Sequence, residues 1–276
     1  MNLIIQGGEI QNRDLRHLAK LAGASRIEQI THEAFRLCEA QARGGVAEYC
    51  EKAKLDFAFV PENIKLADFG LMVMDMDSTL IAIECIDELA DIRGIKAEVS
   101  QITASSVRGE IEFTDSVRRR VALLAGLDES ALQKVYDERL QLSPGAEKML
   151  ARLKAAGVKT LLITSGFTFF AERLKDRLKL DYTYSNALEI INGKLSGKLA
   201  EKIIDADTKA VKVEEIRKQL ELKKEQVIAL GDGANDLKMM AQAGVSIAYH
   251  AQPIVRRQTT YMINHVGLDG VTNLFA

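Results

Sequence analysis

The sequence feature that most constrains the fold is a short apolar run that ends in two aspartates. Leu71–Met74 is followed by Asp75 and Asp77, with Ser78 and Thr79 directly after them. Four consecutive apolar residues predict a buried strand, and ligands of open α/β sheets bind just past the carboxyl ends of strands. Two neighbouring carboxylates repel each other, so the pair indicates a bound cation. An acidic loop closed by an Asx or Ser/Thr turn is the alternative.

The composition excludes several classes of protein. The 276 residues are 47% hydrophobic and 28% charged, which fits one large or two modest globular domains. With 37 basic and 39 acidic residues, the chain has no excess of positive charge for binding nucleic acid. No apolar run reaches the ~18 residues of a membrane span, and residues 1–9 lack the pattern of a secretory signal. Three cysteines without metal-type spacing (Cys38, Cys50 and Cys85) predict free thiols and a cytoplasmic protein.

The order of the predicted elements divides the chain into two units. Residues 1–66 contain short strand and helix patterns that predict a small α+β domain. Residues 67–276 alternate strands with helices, which predicts an α/β domain with a doubly wound, parallel, Rossmann-like sheet. Between the first two strands of that sheet, about residues 84–141 show only helical patterns. We expect this insertion to form a helical cap over the carboxyl edge of the sheet.

Two further predicted strands of the larger unit end in residues suited to binding ions. These residues are Thr164, Ser165 and Gly166 after the second strand, and Asp232, Asn235 and Asp236 after the third. Because helix N-termini favour anions, a hydroxyl and backbone N–H groups ahead of a helix indicate a phosphate cradle. Lys209 lies early in the helix that precedes the third strand. A lysine on the surface of that helix is the alternative interpretation.

The charges collected at the three strand ends predict a divalent cation. Four carboxylates, one lysine and a phosphate sum to a strong negative charge. Mg²⁺ with oxygen ligands balances that charge, and the absence of nearby histidine and cysteine ligands disfavours Zn²⁺. Two carboxylates one residue apart can divide the chemistry of phosphoryl transfer. Asp75 would attack phosphorus, and Asp77 would protonate the leaving alkoxide and later deprotonate water.

The motifs at these strand ends resemble those of the haloacid dehalogenase superfamily. The residues Asp75–Thr79 (DMDST), Thr164, Lys209 and residues 231–236 (GDGAND) match its four motifs, and the match covers about residues 70–276. The sequence is most similar to the phosphoserine phosphatase branch. This resemblance implies that Asp75 is the nucleophile and Asp77 the acid/base. It also implies that Mg²⁺ binds the Asp75 side chain, the Asp77 backbone carbonyl and Asp232.

The cap region extends the resemblance to groups that bind the rest of the substrate. Glu84 stands where the family has a glutamate, seven residues after the acid/base aspartate, and Phe113 and Arg120 match an aromatic-containing helix that ends in arginine. Glu84 would hold the substrate ammonium, and Arg120 would pair with its carboxylate. The alternatives are a first-turn acid that complements the helix dipole and, for Arg118–Arg120, a solvated basic face.

One position departs from the family pattern. The family usually has Ser-Gly-Gly-Phe at the second motif, and this chain has Thr164, Ser165, Gly166 and Phe167. Threonine keeps the hydroxyl, whereas a side chain at Ser165 could crowd the pocket or force a different backbone angle.

The resemblance implies a Mg²⁺-dependent phosphatase that converts O-phosphoserine to serine and phosphate, the last step of serine biosynthesis. A phosphotransferase that passes the phosphoryl group to another alcohol, such as homoserine, is one alternative. A non-enzymatic regulator that senses a metabolite through its N-terminal unit is another. The N-terminal unit resembles regulatory domains of some family members, and a homodimer is compatible with the sequence.

Overall fold

The computed structural model describes residues 1–276, and its first unit is a four-stranded antiparallel sheet with two helices. Its elements are β1 (Asn2–Gln6), α1 (Asn12–Ala22), β2 (Arg26–Thr31), β3 (Ala34–Cys38), α2 (Val46–Ala53) and β4 (Asp56–Val60). The strand order is β2-β3-β1-β4. Leu3 and Ile5 on one face of the sheet pack against Leu18 of α1 and Cys50 of α2, and all four are fully buried. The small N-terminal α+β domain expected from the sequence is therefore confirmed.

The larger unit is an α/β fold with a helical insertion. It starts with β5 (Leu71–Met74) and the four helices α3 (Cys85–Arg93), α4 (Lys96–Val107), α5 (Phe113–Leu123) and α6 (Ser130–Glu138). It continues with α7 (Ala146–Ala155), β6 (Lys159–Phe167), α8 (Thr168–Leu178), β7 (Tyr182–Asn186), β8 (Leu188–Ile191), β9 (Lys194–Leu199) and α9 (Ala206–Gln219). It ends with β10 (Val227–Gly231), α10 (Leu237–Met240), β11 (Val245–Tyr249), α11 (Pro253–Arg256), β12 (Tyr261–Ile263) and α12 (Asp269–Asn273). None of these helices is long and apolar enough to cross a membrane.

Six of these strands form one parallel sheet in the order β12-β11-β10-β5-β6-β7. The chain runs outward from β5 through β6 and β7, and then crosses to β10 and continues outward through β11 and β12. The doubly wound sheet predicted from the sequence is therefore confirmed. The strand order reverses between β5 and β10, and ligands of such sheets bind at this switch point, beyond the carboxyl ends of the strands.

The side chains of β5 explain why this strand lies at the centre. Leu71 and Val73 pack in the same apolar cluster as Val213 of α9, whereas Met72 and Met74 join the cluster that contains Met149 of α7. All four β5 side chains are fully buried. A strand covered by helices on both faces needs apolar residues at every position, so the uninterrupted run in the sequence determines its place.

Backbone pairing joins the helical insertion α3–α6 to the rest of the unit at its base and at the β8–β9 hairpin. At its base, Ile81 and Leu142 form an isolated antiparallel bridge. Further out, the β8–β9 hairpin bonds to the loop between α5 and α6. The Gly126 N–H donates to the Leu195 carbonyl at 2.7 Å, and the Leu195 N–H donates to the Leu127 carbonyl at 2.9 Å. The insertion thus contains only helices, as the sequence predicts, and is hydrogen-bonded to the β8–β9 hairpin.

The N-terminal sheet packs its second face against the end of the larger unit. Ile4 of β1 and Val60 of β4 belong to the same apolar cluster as Phe275, and each is almost completely buried. Gln6 is also buried, donates to the Gly270 carbonyl and accepts from the Asn273 amide. Burial on this scale indicates that the two units form one continuous interior at this junction.

Asp56 is the polar centre of this junction. Its carboxylate is 3% exposed and accepts backbone N–H bonds from Asn264, His265 and Val266 at 2.7, 2.8 and 3.0 Å. We expect Asp56→Ala to lower the free energy of unfolding by about 3 kcal/mol, because three N–H groups lose their acceptor in a buried site. Urea denaturation measures this loss, with Asp176→Ala on the exposed side of α8 as the control. A loss below about 1 kcal/mol would mean that water replaces the carboxylate at little cost.

Candidate active site

Three strand ends and one helix bring the predicted site residues together at the switch point of the sheet. Asp75 follows β5 directly, and Asp77 lies in the irregular helical turn Met76–Leu80. Asp232 follows β10. Within the turn, Ser78 adopts a left-handed conformation with φ of 54°. The chain therefore bends sharply after β5, and both aspartates stay at the carboxyl edge of the sheet.

Lys209 is the positive centre of the site. It is completely buried in α9, and its Nζ lies 2.8 Å from Asp75 Oδ1 and 2.8 Å from Asp236 Oδ1. Burial alone would lower the pKa of Lys209, but the carboxylates of Asp236 and Asp75 outweigh it, and the pKa is raised. Lys209 therefore carries its charge inside the protein and is not the surface lysine of the alternative interpretation.

Asp236 shapes the loop after β10 as well as pairing with Lys209. Its Oδ2 accepts the backbone N–H groups of Asp232 and Gly233, each at 3.2 Å. Both carboxylate oxygens of Asp236 are therefore engaged within the protein. Asn235 lies beside it in the turn Ala234–Asp236, half-buried and with no hydrogen bond to its side chain. The sequence groups Asp236 with the residues suited to binding ions, and in the structure its carboxylate supports the loop that carries Asp232.

The donor set fits a hard divalent cation. Carboxylate oxygens of Asp75, Asp232 and Asp236 lie within 4.8 Å of one another. Asp232 Oδ1 accepts a 2.7 Å bond from the Thr79 hydroxyl, which leaves its second oxygen open. Burial and the Asp236 charge raise the pKa of Asp75 well above its usual value and that of Asp232 to about 7. The lysine alone therefore leaves negative charge uncompensated, which oxygen-bound metal ions relieve.

A backbone donor and a side-chain donor fix the carboxylate of Asp77 beside this cluster. Its Oδ1 accepts the Cys85 N–H at 2.8 Å, and its Oδ2 lies 3.4 Å from the Thr164 hydroxyl. Burial raises the pKa of Asp77, and the Cys85 amide opposes that shift. A Cβ at Gly166 would overlap Asp77 Oδ2, so this close approach requires glycine. A carboxyl with a raised pKa in this place is suited to proton transfer.

The second-motif residues lie inside a strand, which corrects one expectation from the sequence. β6 runs through Thr164, Ser165 and Gly166 to Phe167, and α8 begins only after Phe167. The pairing of β6 with β7 is interrupted between Ile163 and Phe167, which leaves the intervening N–H groups outside the regular ladder. The Gly166 N–H donates to the Thr164 hydroxyl at 2.8 Å. The residues predicted to bind phosphate therefore lie in the irregular end of β6 and do not follow it.

Ser165 does not crowd the site. Its hydroxyl donates to the Ile204 carbonyl at 2.7 Å, away from Asp77, and Asn186 donates to the Ser165 carbonyl at 2.6 Å. The Ile204 N–H in turn donates to the Asn186 side chain at 2.8 Å. Ser165 is also absent from the residues with positive φ. The expectation that a side chain here obstructs the pocket or forces an unusual backbone angle is therefore wrong.

The cap region contributes Glu84 and Arg120, which lie near each other. Glu84 precedes α3, and its carboxylate accepts a 2.6 Å bond from the Ser78 hydroxyl. Desolvation in the cleft and the charge of Asp77 raise the pKa of Glu84 well above its usual value. Arg120 is half-buried, and burial lowers its pKa, while the nearby Glu84 carboxylate opposes that shift. Phe113, the first residue of α5, is half-buried against the apolar cluster.

The neighbours of Arg120 separate it from the exposed basic residues. Arg118 and Arg119 are exposed, and Arg118 pairs with Asp115 at 2.9 Å. Arg120 Nε makes only a long 3.4 Å contact with the Ser116 carbonyl, and its two terminal nitrogens have no partner.

The sequence analysis did not identify two supporting residues of the site, Thr79 and Asn186. Thr79 belongs to the first motif and could have been assigned from it, whereas nothing in the sequence near Asn186 indicates its contact.

Comparisons with known proteins agree with this geometry. A family model for haloacid dehalogenase-like hydrolases matches residues 69–244. The chain belongs to the haloacid dehalogenase-like hydrolase family. Among its relatives, the phosphoserine phosphatase of Polaromonas sp. strain JS666 is 48% identical over 217 residues, which are 77% of this chain and 92% of the relative. A second model, a domain of unknown function (DUF4072), matches residues 3–46.

Solved structures of similar proteins share the fold of this chain. The structure of a probable phosphoserine phosphatase from Vibrio cholerae, in its unliganded form, has a TM-score of 0.86 and 34% identity and covers 99% of this chain and 86% of its own. A phospho-aspartyl intermediate analogue of phosphoserine phosphatase has a TM-score of 0.72 and 33% identity, and covers 75% of this chain and 99% of its own. The first of these matches therefore extends through the N-terminal domain as well.

Proposed function

We propose that this protein hydrolyses O-phosphoserine to serine and phosphate through an aspartyl-phosphate on Asp75, as the last step of serine biosynthesis in the cytoplasm. The observation that carries this proposal is the pairing of Asp75 with Lys209. One oxygen of Asp75 is held at 2.8 Å by a completely buried ammonium, and the other is free to react. The names of the relatives support the choice of substrate.

The reaction has two balanced steps. Asp75 Oδ2 attacks phosphorus and forms a new P–O bond, while the bond from phosphorus to the serine oxygen breaks and Asp77 gives its proton to that oxygen. Asp77 then takes a proton from water, the resulting hydroxide attacks phosphorus, and the bond to Asp75 breaks. The raised pKa of Asp77 favours its protonated form at the start of the first step.

The phosphoryl group would be held by the polar residues around these two aspartates. Lys209 supplies a fixed positive charge, and the Thr164 hydroxyl and the backbone at the irregular end of β6 supply donors. Asn235 has an unused side chain next to the cluster and would contact the same group or the ion. These groups are held by packing before substrate arrives, so little reorganisation is needed in the transition state.

Mg²⁺ is the cation that we assign to the acidic cluster. The Asp75 side chain, the Asp77 backbone carbonyl and Asp232 would hold it, and Asp236 would support it through the loop after β10. When bound, the ion neutralises negative charge on the transferring phosphoryl group.

The cap would recognise the amino-acid part of the substrate. Glu84 faces the cleft with a carboxylate suited to an ammonium, and Arg120 offers unused donors suited to a carboxylate. Phe113 would close the cleft on the apolar side. Binding energy from these remote groups would place phosphorus against Asp75.

Phosphate release from a panel of small phosphate esters tests this function. We expect O-phosphoserine to be the preferred substrate, and phosphoethanolamine, which lacks the carboxylate, to be much poorer. New phosphoesters after the addition of homoserine or other alcohols would instead indicate a phosphotransferase. No hydrolysis of any ester would leave a non-enzymatic role. The mass of the protein in solution tests, in the same preparation, whether it forms the homodimer that the sequence allows.

Removal of the metal gives a prediction that does not depend on turnover alone. Chelation should abolish phosphate release, and Mg²⁺ at 100 times its Kd should stabilise the protein by about 2.7 kcal/mol because it binds only the folded state. Asp232→Asn should remove this stabilisation, whereas Asp207→Asn, on the exposed surface of α9, should keep it. Thermal unfolding with and without Mg²⁺ is the measurement. An equal response in the Asp232→Asn variant would place the ion elsewhere.

Asp77→Asn should slow both steps by ~10²–10⁴-fold, because asparagine can neither give nor take the proton. A substrate whose leaving group needs no proton separates the two steps. With p-nitrophenyl phosphate, we expect the variant to release a burst of p-nitrophenol and then to turn over slowly, since only hydrolysis of the intermediate still needs the base. Stopped-flow absorbance measures both phases. A variant within tenfold of the wild type on O-phosphoserine would assign the proton transfer to another group.

A further inference from the structure

The interface between α3 and α5 contains buried polar atoms that the proposed reaction does not use. Four buried side-chain oxygens in the protein lack a hydrogen-bond partner, and two of them, Asp87 Oδ1 and Ser116 Oγ, belong to these two cap helices. Asp87 lies one turn after Glu84 on the α3 side, and Ser116 lies one turn before Arg120 on α5. An unpaired buried acceptor carries a large desolvation cost, so each one calls for a partner.

Arg120 is a nearby side chain whose hydrogen-bond donors are mostly unused. Its guanidinium has five N–H donors in a rigid plane, with two edges that can each bind a carboxylate. In this structure the only contact is the long one from Nε to the Ser116 carbonyl. The packing of α3 against α5 brings Asp87 near Arg120, although no hydrogen bond joins the two side chains in this structure. Burial raises the pKa of Asp87, and the charge of Arg120 opposes that shift. One edge of Arg120 can therefore face the cleft while the other faces Asp87.

We propose that Asp87 is a positioning residue that holds one edge of Arg120, so that the opposite edge is presented to the carboxylate of the substrate. This inference rests on the proposed function, because it concerns how the cap recognises phosphoserine. Asp87 would accept hydrogen bonds through its unpaired oxygen when the guanidinium rotates to meet the substrate. The backbone carbonyl of Ser116 lies against the guanidinium of Arg120.

The sign of the expected effect distinguishes this role from simple electrostatics. Asp87 is a carboxylate near a site that binds another carboxylate, so a residue acting only through its charge would repel the substrate. Replacing it with neutral asparagine would then strengthen binding of phosphoserine. A positioning role predicts the opposite, because Arg120 would lose the partner that fixes its orientation.

Steady-state kinetics of Asp87→Asn on two substrates tests the inference. For O-phosphoserine we expect KM to rise about tenfold with kcat within about threefold, since a hydrogen bond to a charged group is lost. For phosphoethanolamine, which offers Arg120 no carboxylate, we expect both constants to stay within about twofold. Asp91→Asn, one turn further along α3 and paired with Arg139 on the surface, is the matched control and should leave both substrates unchanged.

A double-mutant cycle shows whether Asp87 acts through Arg120. In an Arg120→Lys background, Asp87→Asn should have no further effect on KM for O-phosphoserine, because lysine has no second edge to hold. Asp87→Ser gives the same comparison if the asparagine variant is recovered in poor yield. Thermal unfolding and phosphoethanolamine turnover report whether each variant is folded with an intact site.

Each outcome decides between the alternatives. Equal losses on both substrates, an unchanged KM or a lower KM for O-phosphoserine would overturn the positioning role and leave the proposed function standing. A wild-type protein that hydrolyses both substrates equally well would overturn the recognition of a carboxylate by Arg120, and with it the role of Asp87. A selective rise in KM for O-phosphoserine that disappears in the Arg120→Lys background supports the inference.

Discussion

Asp75→Asn should reduce phosphate release from O-phosphoserine by about 10⁴-fold or more, because an amide oxygen cannot form the acyl phosphate that the reaction needs. The position of Asp75 makes this the largest effect that we expect. Its Oδ1 is bound by Lys209, and Oδ2 is the oxygen left to react. Rapid acid quenching of the wild type during turnover should trap phosphate on the peptide that contains Asp75, and the variant should trap none.

The control for this variant keeps an aspartate-to-asparagine change but moves it out of the site. Asp207→Asn alters an exposed side chain paired with Lys238 and should keep full activity. The Asp75→Asn protein should still bind inorganic phosphate, since Lys209 and the β6 end remain. Phosphate release at more than a hundredth of the wild-type rate would reject the covalent route while leaving hydrolysis itself in place.

Lys209→Met should both destabilise the protein and stop turnover. Methionine fills a similar volume but leaves Asp75 and Asp236 as buried carboxylates without a positive partner, which costs about 3–5 kcal/mol of unfolding free energy. Without the ammonium, the pKa of Asp75, already raised by burial, would rise further. An acid whose pKa is higher in the folded state gains stability as the pH falls. In chelator, the deficit of the variant should therefore shrink as the solution is acidified from neutral pH.

Urea denaturation over a range of pH measures this effect. Lys218→Met on the same helix is the control, because Lys218 is exposed and pairs with Glu214 on the surface. It should change the free energy of unfolding by less than about 1 kcal/mol at any pH. A deficit in Lys209→Met that stays constant with pH would mean that Asp75 has the same protonation state with and without the lysine.

The centre of the fold was predictable because local sequence and global burial agree there. The apolar runs of β5 and β10 carry enough information to place two parallel strands, and the motif residues follow them directly in the chain. The outer strands were not predicted. β7 has the sequence Tyr-Thr-Tyr-Ser-Asn and β12 has only three residues. Such edge strands owe their conformation to a neighbouring strand more than to their own hydrophobicity.

The site divides in the same way between local and tertiary information. Asp75, Asp77 and Asp232 could be selected from their motifs, whereas Lys209 differs from other helix lysines only through its complete burial. Arg120 could not be separated from its two basic neighbours by spacing, and its partial burial separates it in the structure. The outward turn of the Ser165 hydroxyl depends on Ile204, a residue 39 positions away. Contacts of this kind arise from packing and leave no local pattern.

The junction at Asp56 also has a consequence for how the protein is made. The Asp56 carboxylate at the start of β4 accepts from the Asn264 N–H, which lies 208 positions later in the chain. At ribosomal speeds of ~5–20 residues per second, the face of the N-terminal sheet that packs against the larger unit remains exposed to solvent for about 10–40 s after the sheet emerges. Ile4, Ala58 and Val60 would be uncovered during that interval. In a nascent chain with this architecture, chaperones that bind apolar strands could shield this face until residues 264–275 have been synthesised.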